Sequence, residues 1–222
     1  MKKKHLTSAS GLLFILLLLT FSACHDDTEP LYEGYGLVKK TDDNHYSITL
    51  DDGNLLYPQA SYLHPSKLRD SMRLYVLFNI LKETDSCAFV QIRNADSILT
   101  KPILPYSPSL SDSVGNDPVK ITKHWFAHGF LNFEFIFAGR YNLHQTTGHA
   151  HLINLLQCPS KDNQLMFEFR HNDFGDCRDK IYLGVVSFPI QKLLAHLPKP
   201  VKLQVKYTDS AHTSHSIDLL YQ

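Results

Sequence analysis

Two kinds of hydrophobic pattern divide this chain. Leu12 to Leu19 is an unbroken apolar run of eight residues, well short of the ~20 that cross a bilayer as a helix. Beyond residue 30 the dominant pattern is alternation with period two, the mark of strands with one buried face. His45 to Leu50 places Tyr46, Ile48 and Leu50 on one face. Asp51-Asp52-Gly53-Asn54 follows as a hairpin turn signal. Leu55 to Tyr57 begins the return strand, which Pro58 ends or confines to an edge. Arg73 to Lys82 is apolar at nearly every position and reads as a strand covered on both faces. With Glu33 to Lys40 and Ala88 to Ile98, residues 31–100 carry about five strands, the content of a small closed barrel of the OB type.

The second half alternates more cleanly. Leu131, Phe133, Phe135 and Phe137 share one face. So do Leu165, Phe167 and Phe169, then Val201, Leu203, Val205 and Tyr207, and finally Ile217, Leu219 and Tyr221. Val119 to Phe126, His149 to Leu156 and Ile181 to Phe188 bring residues 118–222 to about seven strands, which predicts an immunoglobulin-like β-sandwich. A short helix is expected over Ile190 to His196. Between the halves, Pro102, Pro105 and Pro108 recur every third residue, and Ser107 to Asp117 is rich in Ser, Asp, Gly and Asn. Residues 101–117 therefore read as a Pro/Ser-rich interdomain linker, polyproline-like at its start. The fold class is all-β: a small barrel, then a sandwich.

The apolar run gains meaning from its flanks. Lys2-Lys3-Lys4 precedes it and Phe21-Ser22-Ala23-Cys24 closes it. Residues 1–23 thus read as a signal peptide, and the ending looks like a lipobox, with Cys24 as the lipidation site. An ordinary signal peptide cut after Ala23 is the alternative. His25 to Pro30 continues as an acidic tether, residues 24–30. It resembles the surface-export signal of Bacteroidetes lipoproteins, so the expected location is the outer membrane, facing outward, with a plain solvated tether as the alternative. Without the three leader lysines the chain has 19 basic residues against 22 acidic, a net charge of −3. That balance repels phosphate backbones and makes nucleic acid an improbable partner.

Three cysteines remain in the exported part. Cys158 and Cys177 both fall near strand ends and form a candidate disulfide that would contribute roughly 3 kcal/mol; two free thiols are the alternative. Cys87 opens a strand and reads as a small buried apolar residue. Thirteen histidines invite a metal reading. His149 and His151 share a strand face, with His144 nearby and His212 and His215 near the C-terminus. No ligand spacing of a zinc site accompanies them, so the expectation is no metal and no cofactor. There is no Gly-x-Ser-x-Gly elbow and no phosphate-cradling loop. Gly34 and Gly36 read as a bulge or close packing, and Asn172 to Asp176 as a turn too poor in spaced oxygens for calcium. Glu134 and Glu168 lie on polar strand faces and are the one candidate carboxylate pair for acid–base work; no residue is expected to be catalytic.

In order along the chain, several features resemble the NigD-like lipoproteins of Bacteroidetes. They are Cys24 with its acidic follow-on, Asp51-Asp52-Gly53-Asn54 before Leu55-Leu56-Tyr57-Pro58, and the strand around Tyr75 to Leu81. Ile98 to Ile103, Gly115 to Val119, Trp125 and Gly129-Phe130-Leu131-Asn132-Phe133 complete the set. The resemblance implies an N-terminal OB-like domain, a C-terminal β-sandwich and an envelope location. It implies no reaction, and it assigns no role to His124 or His128. The function expected is a non-enzymatic binding or assembly module tethered through Cys24. Its partner would be an envelope protein, a peptide such as a bacteriocin, or a glycan, with Trp125, Tyr57, Tyr62, Tyr75 and Tyr106 as stacking faces. A structural subunit of an outer-membrane complex, the bacteriocin-related role that the family's name implies and, more remotely, an envelope hydrolase are the alternatives.

Overall fold

The computed structural model describes residues 29–42, 45–61, 63–140, 151–161 and 164–222. Cys24, the leader and residues 25–28 of the tether lie outside these. Five strands form the first domain: β1 (Tyr32–Lys40), β2 (Tyr46–Leu50), β3 (Leu55–Ser61), β4 (Arg73–Glu83) and β5 (Ala88–Ser97). They close in the order β1-β2-β3-β5-β4, with β1 and β4 antiparallel and β3 and β5 parallel. Ile48, Leu56, Val76, Val90 and Ile92 fill the interior. Gly36 is required by closeness: a Cβ there would stand 2.7 Å from Ile48 Cγ2. Pro58 does not end its strand; it sits where the β3–β5 register shifts, at an irregularity that tolerates the missing N–H.

The second domain is a sandwich of two sheets. One has the order β14-β13-β11-β10-β7 and the other β6-β12-β9-β8. The long strands are β8 (Lys120–Ala127), β9 (Phe130–Gly139), β10 (Leu152–Lys161), β11 (Gln164–Asn172), β12 (Lys180–Pro189), β13 (Val201–Thr208) and β14 (Ser214–Tyr221). These are the seven that alternation predicts. Phe133, Phe167, Phe169 and Phe188 meet in the core, with Phe133 and Phe169 edge to face at 5.2 Å, an arrangement aromatic quadrupoles favour. A short helix, α2 (Gln191–Leu194), follows β12.

The segment 101–117 departs from the linker expectation. It belongs to the sandwich. Just before it, β6 (Leu99–Thr100) pairs in parallel with β12, and within it β7 (Leu104–Pro105) pairs in parallel with β10. One strand piece thus joins each sheet. Lys101 crosses between them, its Nζ donating to Asn154 Oδ1 at 2.6 Å. Helix α1 (Pro108–Ser113) comes next, capped by Ser107 Oγ, which accepts from the Leu110 amide. Periodic proline signals an extended backbone but is blind to what that backbone lies against. Two-residue pairings are also too short to show any alternation of their own.

Candidate functional site

Three arrangements of polar or exposed residues stand out, and the first joins the domains. The turn after β2 presents Asp51, and β4 begins with Arg73, whose side chain is wholly buried. Arg73 Nη1 and Nη2 donate to the two Asp51 oxygens at 2.5 and 2.6 Å, a bidentate pair. The same guanidinium reaches into the sandwich, donating to Asn132 Oδ1 at 3.1 Å and Ser187 Oγ at 3.4 Å. Trp125 Nε1 donates to Asp51 Oδ2 at 2.6 Å, and His128 Nε2 lies 3.1 Å from the Leu50 carbonyl. Trp125 stacks on Tyr35 of β1, whose hydroxyl donates to Glu134 of β9. His128 and Gly129 both have positive φ, as the tight β8–β9 hairpin demands. Asp51, Trp125 and Asn132 come from three of the motifs that carried the resemblance. Here they form a clasp, and their polar atoms are spent on each other.

The second arrangement lies at the far end of the sandwich. His171 of β11 is buried, with Nδ1 3.3 Å from the Pro118 carbonyl. Its Nε2 lies 2.9 Å from His151 Nδ1, and His151 Nε2 lies 3.2 Å from Asp176 Oδ2. Both ends of this chain are acceptors, so all three bonds form only when the two rings together hold three protons. Burial, with His151 as the next cause, holds His171 below the ordinary histidine value. The Arg140 amide donating to Asp176 at 2.7 Å holds that carboxyl below the usual carboxylate range. Asp176 and His151 are placed like the orienter and base of a catalytic triad. Where a Ser or Cys nucleophile would stand, however, there is His171. Beside this chain opens a cavity of about 530 Å³ with Val119, Phe137 and Tyr207 among its walls and Lys120, Arg178 and His215 among its polar groups.

The third is apolar. On the outer face of the β6-β12-β9-β8 sheet, Ile181 and Leu183 of β12 are 69% and 62% exposed. Their register partners Ala138 and Ile136, with neighbouring Val185, extend the patch toward the clasp. A contiguous apolar surface of this kind marks an interaction site more often than scattered exposed residues do.

The other residues singled out by sequence fall as follows. Cys24 lies outside the described residues, as do His144, His149 and Tyr62. Cys158 and Cys177 are free thiols, which corrects the expected bridge. Cys158 pairs in register with Met166 near one end of β11, and Cys177 follows Asn172 beyond the other end. Cys87 is also free, and it is only half-buried beside Thr84. Among the described residues no group of three or more His, Cys, Asp or Glu could hold a metal. His215 pairs instead with Asp209 at 2.7 Å. Glu134 and Glu168 sit on the outer faces of opposite sheets, holding Tyr35 and Thr122 in one case and Arg170 in the other, so they never face one cleft. Trp125 and Tyr75 belong to the clasp and its margin, and Tyr57 stacks on Phe89. Among the described residues no helix is long and apolar enough to cross a membrane.

Comparison with known proteins places this architecture. Residues 35–98 match the NigD-like N-terminal OB domain, and residues 102–221 match the NigD-like C-terminal beta sandwich domain. A crystal structure described as a "Putative TOXIN related protein" of Parabacteroides distasonis is 29% identical, covering 87% of this chain and 94% of that one at a TM-score of 0.70. A NigD-like immunity protein of Bacteroides caccae is 16% identical over 86% of this chain and 97% of its own, with a TM-score of 0.65. A "Putative lipoprotein" of Bacteroides fragilis is 10% identical over 87% and 99%, with a TM-score of 0.66. The last two are likenesses of fold. No curated protein matches the chain. A barrel and a sandwich, both matched over nearly their whole length and buttoned together through the motif residues, make this chain a member of the NigD-like family.

Proposed function

We propose that the protein is a non-enzymatic recognition module, lipid-anchored through Cys24 at the outer membrane and facing outward, whose partner is a protein or peptide. The observation that carries this reading is the apolar shelf of Ile181 and Leu183, continued by half-buried Val185, beside the interdomain clasp. Exposed aliphatic side chains on a strand suit a protein surface better than a glycan, which takes flat aromatic faces. Trp125 is already stacked and hydrogen-bonded within the clasp. One fold relative, from Bacteroides caccae, is named an immunity protein. In that finer version the partner is a toxic peptide or protein, held away from its target at the cell surface. The signal peptide and the acidic stretch after Cys24 support the location.

A photo-crosslinking side chain at position 183 in intact cells tests the reading. One discrete protein adduct is expected, and that protein should bind the purified ectodomain and lose binding to Leu183→Arg and Ile181→Arg. Identical adducts from position 202, on the outer face of the opposite sheet, contradict it. Digestion of intact cells with an impermeant protease checks the outward orientation; full protection rules it out.

A further inference from the structure

β4 has different duties at its two ends. Its first residue, Arg73, is buried beneath the sandwich. Six residues on, Asn79 is only 5% exposed although it is polar. Its Nδ2 donates to the Pro30 carbonyl at 2.8 Å and to the Glu29 carbonyl at 3.3 Å. Buried amide groups are costly to leave unpaired, so this side chain fastens the incoming chain to the barrel wall. At the rise of a strand, Arg73 and Asn79 stand ~20 Å apart. The clasp arginine and the point where the tether joins are therefore well separated along β4.

The tether is short. From Cys24 to Glu29 are five residue steps, which span at most ~18 Å when fully extended. We infer that the barrel is the membrane-proximal domain, and that its rim around Leu31, Leu81 and the β4–β5 turn rests against the lipid surface. This deepens the reading above and rests on its lipid anchor at Cys24. Leu31 and Leu81 are 58% and 50% exposed where the tether joins. Glu83 and Asp85 follow Leu81 into the β4–β5 turn and line a cavity with Tyr32 and with Asp52 and Gly53 of the β2–β3 turn. Carboxylates resist transfer into hydrocarbon, so the rim settles at headgroup depth and does not insert. Arg73 and the sandwich it enters stand farther out, and Lys202 lies beyond them on the sheet that faces away from the barrel.

The full-length lipidated protein, with Cys87, Cys158 and Cys177 replaced by Ser, supplies the test. A fluorescent donor is attached at Leu81→Cys or at Lys202→Cys. The protein is then reconstituted on vesicles of phosphatidylethanolamine and phosphatidylglycerol carrying an acceptor on the headgroup. Energy transfer from position 81 should exceed that from position 202 several-fold. Equal transfer, or more from 202, in protein that floats with the vesicles overturns this orientation while leaving the anchor intact. Protein with an unaltered Cys24 that does not float overturns the anchor and the orientation together.

Discussion

Asp51 and Asp176 each head a polar cluster, and the two clusters behave differently. Asp51 receives a guanidinium and an indole N–H as its close donors, groups that keep their protons throughout the physiological range, with His128 Nε2 farther off at 3.4 Å. Asp176 faces His151, which faces His171, so that cluster is complete at only one count of protons. The first sits between domains with its arginine wholly buried, while the second borders an open cavity. Close donors that keep their protons make a fastening, and a cluster linked through two histidines makes an element that responds to pH.

The sharpest way to break the comparison is Arg73→Met. It leaves the Asp51 carboxylate without its bidentate donor, while the Asn132 carbonyl keeps only Ser187 Oγ, which donates to it at 2.7 Å. Breaking one side of a buried pair costs about 3–5 kcal/mol, to be read from urea unfolding. Trp125→Phe keeps the ring stack and removes one hydrogen bond to a charged group, a loss of about 1.5–3 kcal/mol in the same assay. If both variants match the wild type, the clasp is not a fastening.

The histidine cluster gives a smaller effect with a definite sign. His171 favours its neutral form in the fold, so the unfolded chain takes up protons first as pH falls. Its contribution is intact above a pH of about 6.5 and is lost as pH drops below that value. Asp176, held low, adds a further loss below a pH of about 4. Thermal unfolding from pH 8 to 5 should therefore show falling stability, and His171→Phe should flatten the slope. The part due to His124, which burial also holds low, remains in that variant. The smallest effect is chemical. Cys177 is exposed, while burial pushes the Cys158 thiol up to about 11. A disulfide reagent at pH 8 should modify Cys177 well before Cys158, and a reductant should leave the intact mass unchanged.

The strands were legible because each long one buries a single face. The alternation around Phe133, Phe167 and Val205 placed β9, β11 and β13 within a residue or two. The Asp51 turn and Trp125 were also visible as motif residues, but their role was not. A bond between Trp125 and Asp51 spans 74 residues, and no local pattern encodes a contact that far along the chain. Arg73 could be read only as the polar start of an apolar strand. The segment around Pro102 and Pro105 misled because a proline repeat describes backbone shape and not its neighbours. The cysteine pair misled because both residues lie near strand ends, and sequence does not say which ends meet. His171 shares the inward face of β11 with Phe169, and a polar residue at a core-facing position is its one signal in the sequence.

The claim on which the rest depends is that the clasp makes barrel and sandwich one rigid body. Spin labels at Lys67→Cys in the barrel and Lys202→Cys in the sandwich, in protein otherwise free of reactive cysteine, measure it directly. One narrow distance distribution is expected for the native clasp, broadening in Arg73→Met. A broad distribution with the clasp residues intact would contradict it.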